Sequence, residues 1–175
     1  LDPDPNVSPL LGMAAAYRPP VLTRDEIASL WERFGSGSGA FRAVADGCFE
    51  WTGGQPLLVQ RYLSIRYAQS ELDSDRIGNR LRQDSSAEEV WLWQQDLAAI
   101  LLEDPEARRF LERLTQGHVS SAFETSRSWR QLFVSGWIRH DERDPSRWVI
   151  RSRAHSEWVK PVLKDLRGFL PGEFR

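Results

Sequence analysis

The sequence has 175 residues, of which 41% are hydrophobic and 27% charged, enough for one large domain or two small ones around a buried core. A net charge of -2 argues against a general polyanion binder, and the absence of any apolar run of about 18 residues excludes a membrane-spanning helix. A single cysteine, Cys48, excludes an internal disulfide or a cysteine-built metal site, and His118, His140 and His155 are too scattered for a zinc signature.

Residues 1–22 read as irregular or extended, because Pro19 and Pro20 cannot sit inside a helix. A helix then starts at Thr23, with Glu26 three residues on as a capping box. Ile27, Leu30, Trp31 and Phe34 give it one buried stripe, and Gly35 suits its end. After the Gly35-Ser36-Gly37-Ser38-Gly39 stretch, Phe41, Val44, Ala45 and Cys48 repeat that spacing up to about Thr52. Pro56 then opens a third helix, with Leu58, Val59, Tyr62 and Leu63 on its apolar face. Residues 23–84 thus read as a small helical bundle, and the polar stretch Asp84-Ser85-Ser86 is the expected domain boundary.

The remaining residues, 85–175, begin with a longer helix. Ser85 or Ser86 caps it, Glu88 and Glu89 stand at capping-box spacing, and Val90, Trp93, Leu97, Ile100 and Leu101 form its stripe. Asp104-Pro105-Glu106 starts another helix, carrying Phe110, Leu111 and Leu114 and ending near Gly117. Ser126 caps a short one with Trp129, Leu132 and Phe133, closed by Gly136. The period then changes from 3.6 to 2. Residues 137–141 and 147–151 are β-prone runs flanking Asp144-Pro145, which predicts a hairpin. A last helix carries Trp158, Val159, Val162, Leu163 and Leu166, with Pro161 kinking it or marking where its regular part begins. The expected fold class is mainly α: a helical bundle, then helices with one β-hairpin and a C-terminal helix, the order of a winged helix.

Charge is uneven. Residues 126–175 hold eleven basic and six acidic side chains, so the C-terminal third is basic and the rest acidic. That keeps nucleic acid open as a partner, beside the plainer reading of an arginine-rich solvated surface. No signal peptide is visible, and a cytoplasmic location is expected. The chain opens on Leu1 and its one methionine is Met13, which suggests a piece of a longer protein.

Two segments together resemble a known arrangement. Leu22-Thr23-Arg24-Asp25-Glu26-Ile27-Ala28-Ser29-Leu30-Trp31, followed by Trp51-Thr52-Gly53-Gly54-Gln55-Pro56-Leu57-Leu58-Val59-Gln60, resembles the helical lid of AAA-like STAND ATPases, signalling relatives of the origin-recognition ATPases. Ser135-Gly136-Trp137-Ile138-Arg139-His140-Asp141 with Arg147-Trp148-Val149-Ile150-Arg151-Ser152 resembles the winged-helix domain that follows that lid. Residues 1–22 then look like the linker from an ATPase core. The chain carries no Gly-x-x-x-x-Gly-Lys-Ser/Thr phosphate loop and no apolar strand ending in an acidic pair for magnesium. The resemblance therefore implies a regulatory module with no catalytic residue of its own. ATP or ADP and Mg would come only with the core, and the partners would be that core and neighbouring effector or sensor domains.

The resemblance also implies site residues. Gly53, Gly54 and Pro56 would meet the adenine ring from the lid; the plain alternative is a helix–turn–helix junction. Arg151 and Arg153 would stand near the nucleotide phosphates, although Ile150-Arg151-Ser152-Arg153-Ala154-His155 lacks the Met-His-Asp of the plant and animal branch; the alternative is a solvated hairpin edge. A second reading makes the chain a DNA-binding winged helix, with Arg127 and Arg130 on the recognition helix and Arg143 and Arg147 on the wing touching phosphates. Its signature is salt-dependent duplex binding that weakens when Arg127 and Arg130 are removed. A third reading is a protein-interaction scaffold with an exposed apolar patch. Cys48, on an apolar stripe, is read as a structural thiol. His140 beside Asp141 has no nucleophile placed with it by any motif, so no catalysis is assigned.

Overall fold

In the computed structural model the described residues are 21–34, 41–84, 87–117 and 127–169, and the side chains of 34, 84, 87–89, 127 and 128 are outside that description. Helix α1 (Arg24–Phe34) packs along α2 (Phe41–Thr52); α3 (Pro56–Ala68) and α4 (Ser74–Asp84) complete the first bundle. Helix α5 (Ala87–Glu103) lies against α6 (Pro105–Thr115), α7 (Arg127–Val134) and α8 (Arg153–Lys164). Strands β1 (Ile138–His140) and β2 (Trp148–Ile150) form an antiparallel hairpin in the register Ile138↔Ile150, Arg139↔Val149, His140↔Trp148. A single 3₁₀ turn, Arg167–Phe169, follows α8. The fold is mainly helical with one small hairpin and a C-terminal helix, as expected. No helix among the described residues is long and apolar enough to cross a membrane.

Local chemistry explains the boundaries. Thr23 and Glu26 form the reciprocal box: the Thr23 N–H donates to the Glu26 carboxylate at 2.7 Å and the Glu26 N–H to Thr23 Oγ1 at 3.2 Å. Asp104 Oδ1 accepts from the N–H groups of Glu106 (2.8 Å) and Ala107 (3.2 Å), ahead of Pro105 in the first turn of α6. Asp104→Ala removes both acceptors and is expected to cost about 1 kcal/mol, read as a lower denaturation midpoint with unchanged helicity. Helix α4 was not separately expected. Its markers are Asp73, whose carboxylate accepts from the Arg76 N–H at 2.8 Å, and the buried pair Ile77 and Leu81. Pro161 sits inside α8, three residues before its end, where it takes one N–H out of the helix ladder. The expected linker up to Pro20, the ends at Gly35 and Ser126, and the caps at Ser85 and Ser86 lie outside the described residues.

One apolar core runs from Ile27 to Val162 across the expected boundary at 84–85. Its second half is aromatic: Trp148 meets Trp129 edge-on at 5.0 Å and Phe133 at 5.4 Å, while Trp93, Trp137 and Trp158 surround His155. Contacts of Arg153, Arg82 and Arg24 help join the first bundle to the elements after it. Within the bundle Gly78 lies against the Trp51 indole, and from α8 the Arg153 guanidinium stands 4.4 Å from that ring's centre. Arg153 also reaches Asp75 (2.6 Å) and Glu50 (3.4 Å). Arg82 pairs with Glu157 at 3.0 Å, and Arg24 bridges Asp46 (2.8 Å) and Glu142 (3.1 Å).

Candidate functional site

The turn between α2 and α3 is held by its own backbone. Thr52, fully buried, donates its hydroxyl to the Cys48 carbonyl at 2.7 Å and accepts from the Gly54 N–H at 3.2 Å. Gly53 then turns the chain with φ +60°. A Cβ there would meet the Arg151 backbone oxygen at 2.7 Å, and one on Gly54 would meet the Leu22 carbonyl oxygen at 2.2 Å. The Gly54 carbonyl in turn accepts from the Leu22 N–H at 2.8 Å. The two glycines therefore let protein backbone approach from both sides: the extended residues before α1 on one, the exit of the hairpin on the other.

That junction opens a cleft of about 470 Å³ between the first bundle and the hairpin. Pro56 is exposed at its rim. Leu22, Phe49, Phe133 and Val134 supply apolar wall, and Arg24, Arg139 and Arg151 bring guanidinium groups to it. Arg151 donates from Nε to the Gly136 carbonyl at 2.5 Å. Arg139 crosses from β1 toward α2, its guanidinium carbon 5.3 Å from the Phe49 ring centre, while that of Arg24 stands 4.5 Å from the same centre. Burial draws Arg139 below the ordinary arginine value, with Glu142 and Asp141 opposing the shift; an arginine stays charged at neutral pH regardless.

Of the five residues singled out for nucleotide, Gly53, Pro56 and Arg151 line this one cleft, while Gly54 does not line it and accepts from the N–H of Leu22, which does. Arg153 lines another cavity, with Trp51, Asp75 and Glu157. Of the DNA set, Arg130 is exposed on α7, Arg143 and Arg147 are exposed around the hairpin turn, and Arg147 pairs with Asp144 at 2.9 Å. The side chain of Arg127 lies outside the described residues. Arg24, Phe49, Gln55 and Arg139 also line the cleft and were not singled out from sequence. Gln55 could have been found from its place inside Gly53-Gly54-Gln55-Pro56; for Arg139 no sequence signal separates it from a surface arginine.

Two other candidates resolve into structure. Cys48 is fully buried and desolvation pushes its thiol up to about 12, so it stays neutral at physiological pH. His140 packs on Trp148 with ring centres 3.8 Å apart, and the Asp141 carboxylate accepts from the Arg143 N–H at 2.9 Å. Among the described residues no cluster of three or more His, Cys, Asp or Glu side chains could hold a metal ion. Compared with known proteins, the chain matches no family model, no curated protein and no solved structure.

Proposed function

We propose that this chain is the regulatory part of a nucleotide-dependent switch: the helical lid and winged helix of a STAND-type ATPase, non-catalytic alone. The observation that carries this is the cleft itself. Gly53 and Pro56 from one turn and Arg151 from the hairpin exit, about a hundred positions apart in sequence, line one cavity between the first bundle and the elements after it. A rigid apolar ring at a helix start can lie on a flat base with little entropy loss, and a guanidinium suits a phosphate. The phosphate cradle and magnesium site belong to a separate core, which supplies the hydrolytic chemistry. This chain's residues would close over the nucleotide, and exchange of ADP for ATP would shift the lid and winged helix against that core as rigid bodies. Effector or sensor domains held apart in the closed state would be released.

In a protein joining this module to its core, Pro56→Ala is expected to weaken ADP binding about fivefold, the size of one lost apolar contact. Calorimetric titration is the measurement, and an unchanged affinity would remove the basis for a lid. The DNA reading draws support only from the exposure of Arg130 and Arg143. It is weakened by the pairing of Arg147 with Asp144, which takes up one of the two wing arginines.

A further inference from the structure

The geometry points to Arg139 as the group that holds the anionic end of the cleft's ligand, with Gln55 accepting a hydrogen bond from a donor on the ligand's flat end. The identity of that flat end, an amine-bearing purine, rests on the nucleotide reading above; the anion site stands without it. Arg139 is half-buried on β1 and gives its N–H groups to two carbonyls, Nε to Arg151 at 2.8 Å and one terminal nitrogen to His140 at 3.1 Å. Among the described residues it forms no ion pair. The nearest carboxylates are engaged elsewhere: Glu142 with Arg24 at 3.1 Å, and Asp141 with the Arg143 N–H at 2.9 Å. Arg139 is thus partly withdrawn from water with neither nearby carboxylate bonded to its guanidinium, and an anion that enters the cleft competes for it with the charges of Glu142 and Asp141.

Gln55 adds the second requirement. It lines the same cleft, and among the described residues its enclosed Oε1 has no hydrogen-bond partner; a buried acceptor left unmade is costly until a donor arrives. The walls between these groups, Leu22, Pro56, Phe133 and Val134, are apolar. The matching ligand therefore carries phosphate at one end and a flat ring with an N–H donor at the other.

The test uses the 175-residue chain in NMR-monitored titrations, with inorganic pyrophosphate as the first probe. Pyrophosphate is expected to bind and to shift the amides around Gly136 and Arg139. Arg139→Gln should weaken it about tenfold, the scale of one charge-assisted hydrogen bond. Arg143→Gln, on the exposed turn, should leave it unchanged. Glu142→Gln keeps Arg139 intact and removes a carboxylate from the cleft, so it should tighten pyrophosphate several-fold even if Arg139→Gln fails to fold. No binding at millimolar pyrophosphate, equal binding by wild type and Arg139→Gln, or no tightening in Glu142→Gln each overturns the anion site.

In the second arm, ADP is compared with purine riboside diphosphate, which lacks the amino group. The wild type should prefer ADP about fivefold, and Gln55→Leu should abolish the preference; no preference in the wild type overturns the role of Gln55. A pyrophosphate site at Arg139 together with a silent Pro56→Ala leaves the anion site standing and removes the lid. The opposite pair of results does the reverse.

Discussion

Gly53→Ala is expected to destabilise the chain by about 3 kcal/mol, from two separable causes. The first is conformational: φ is +60°, and an L side chain there costs about 1 kcal/mol. The second is steric. The new Cβ would lie 2.4 Å from Arg151 Cγ and 2.7 Å from its backbone oxygen, and backbone cannot step aside without moving the hairpin exit off the turn. Gly117 isolates the first cause, because its φ is +80° and a Cβ there would meet nothing within 4 Å. Gly117→Ala should therefore cost only about 1 kcal/mol. Chemical denaturation of both variants measures the difference. If Gly53→Ala costs no more than Gly117→Ala, the contact between the two bodies is soft and Arg151 yields freely. If the difference appears, the cleft's geometry depends on a glycine that also fixes where Arg151 stands.

What could be seen in the sequence follows from how local each cause is. The Thr23–Glu26 box, the Asp104 cap and Pro56 in the first turn act over two or three residues, so their residue types announce them. The hairpin was legible for the same reason: Asp144 receives the Arg147 N–H at 2.9 Å and turns the chain beside Pro145. Helix α4 escaped because its face holds only Ile77 and Leu81 between polar residues, and Gly78 reads as a breaker until Trp51 is known to lie against it. The cleft was half legible. Gly53-Gly54-Gln55-Pro56 stands out as a motif, but its two glycines answer to the Leu22 and Arg151 backbones rather than to open space. Arg24 and Glu142, 118 positions apart, meet only once the chain has folded. Arg139 was invisible for the same reason, since a strand arginine becomes notable only when the surrounding carboxylates are seen to be engaged with other groups.

Stability is expected to fall as the medium is acidified below about pH 6.5, and His155 should account for much of the fall. Its ring is 4% exposed, packed among Trp93, Trp137 and Trp158, with Nδ1 2.8 Å from the Ser152 hydroxyl that caps α8. Burial first, and the Arg151 charge second, depress it from 6.5 to about 3. Above pH 6.5 the ring is neutral in both folded and unfolded chains, and it contributes no pH dependence. As the pH drops the unfolded chain takes up a proton that the folded one refuses, so unfolding gains about 1.4 kcal/mol per pH unit. The loss runs until the folded ring itself protonates, roughly 4–5 kcal/mol in all on that scale. Urea denaturation between pH 7.5 and 5 lies above most carboxylate titration and isolates the histidine slope. His155→Phe fills the same aromatic box without a titrating nitrogen. It should flatten that slope and leave the variant more stable than the wild type at pH 5, even if it loses the Ser152 contact at pH 7.5. An undiminished slope in His155→Phe would mean that the proton enters elsewhere. Because Arg151 both raises the cost of charging His155 and lines the cleft, an anion bound beside Arg139 and Arg151 should lift the His155 pKa. With pyrophosphate bound, the wild type's acid loss would then end at a higher pH, its slope between pH 7.5 and 5 still being set by the unfolded chain.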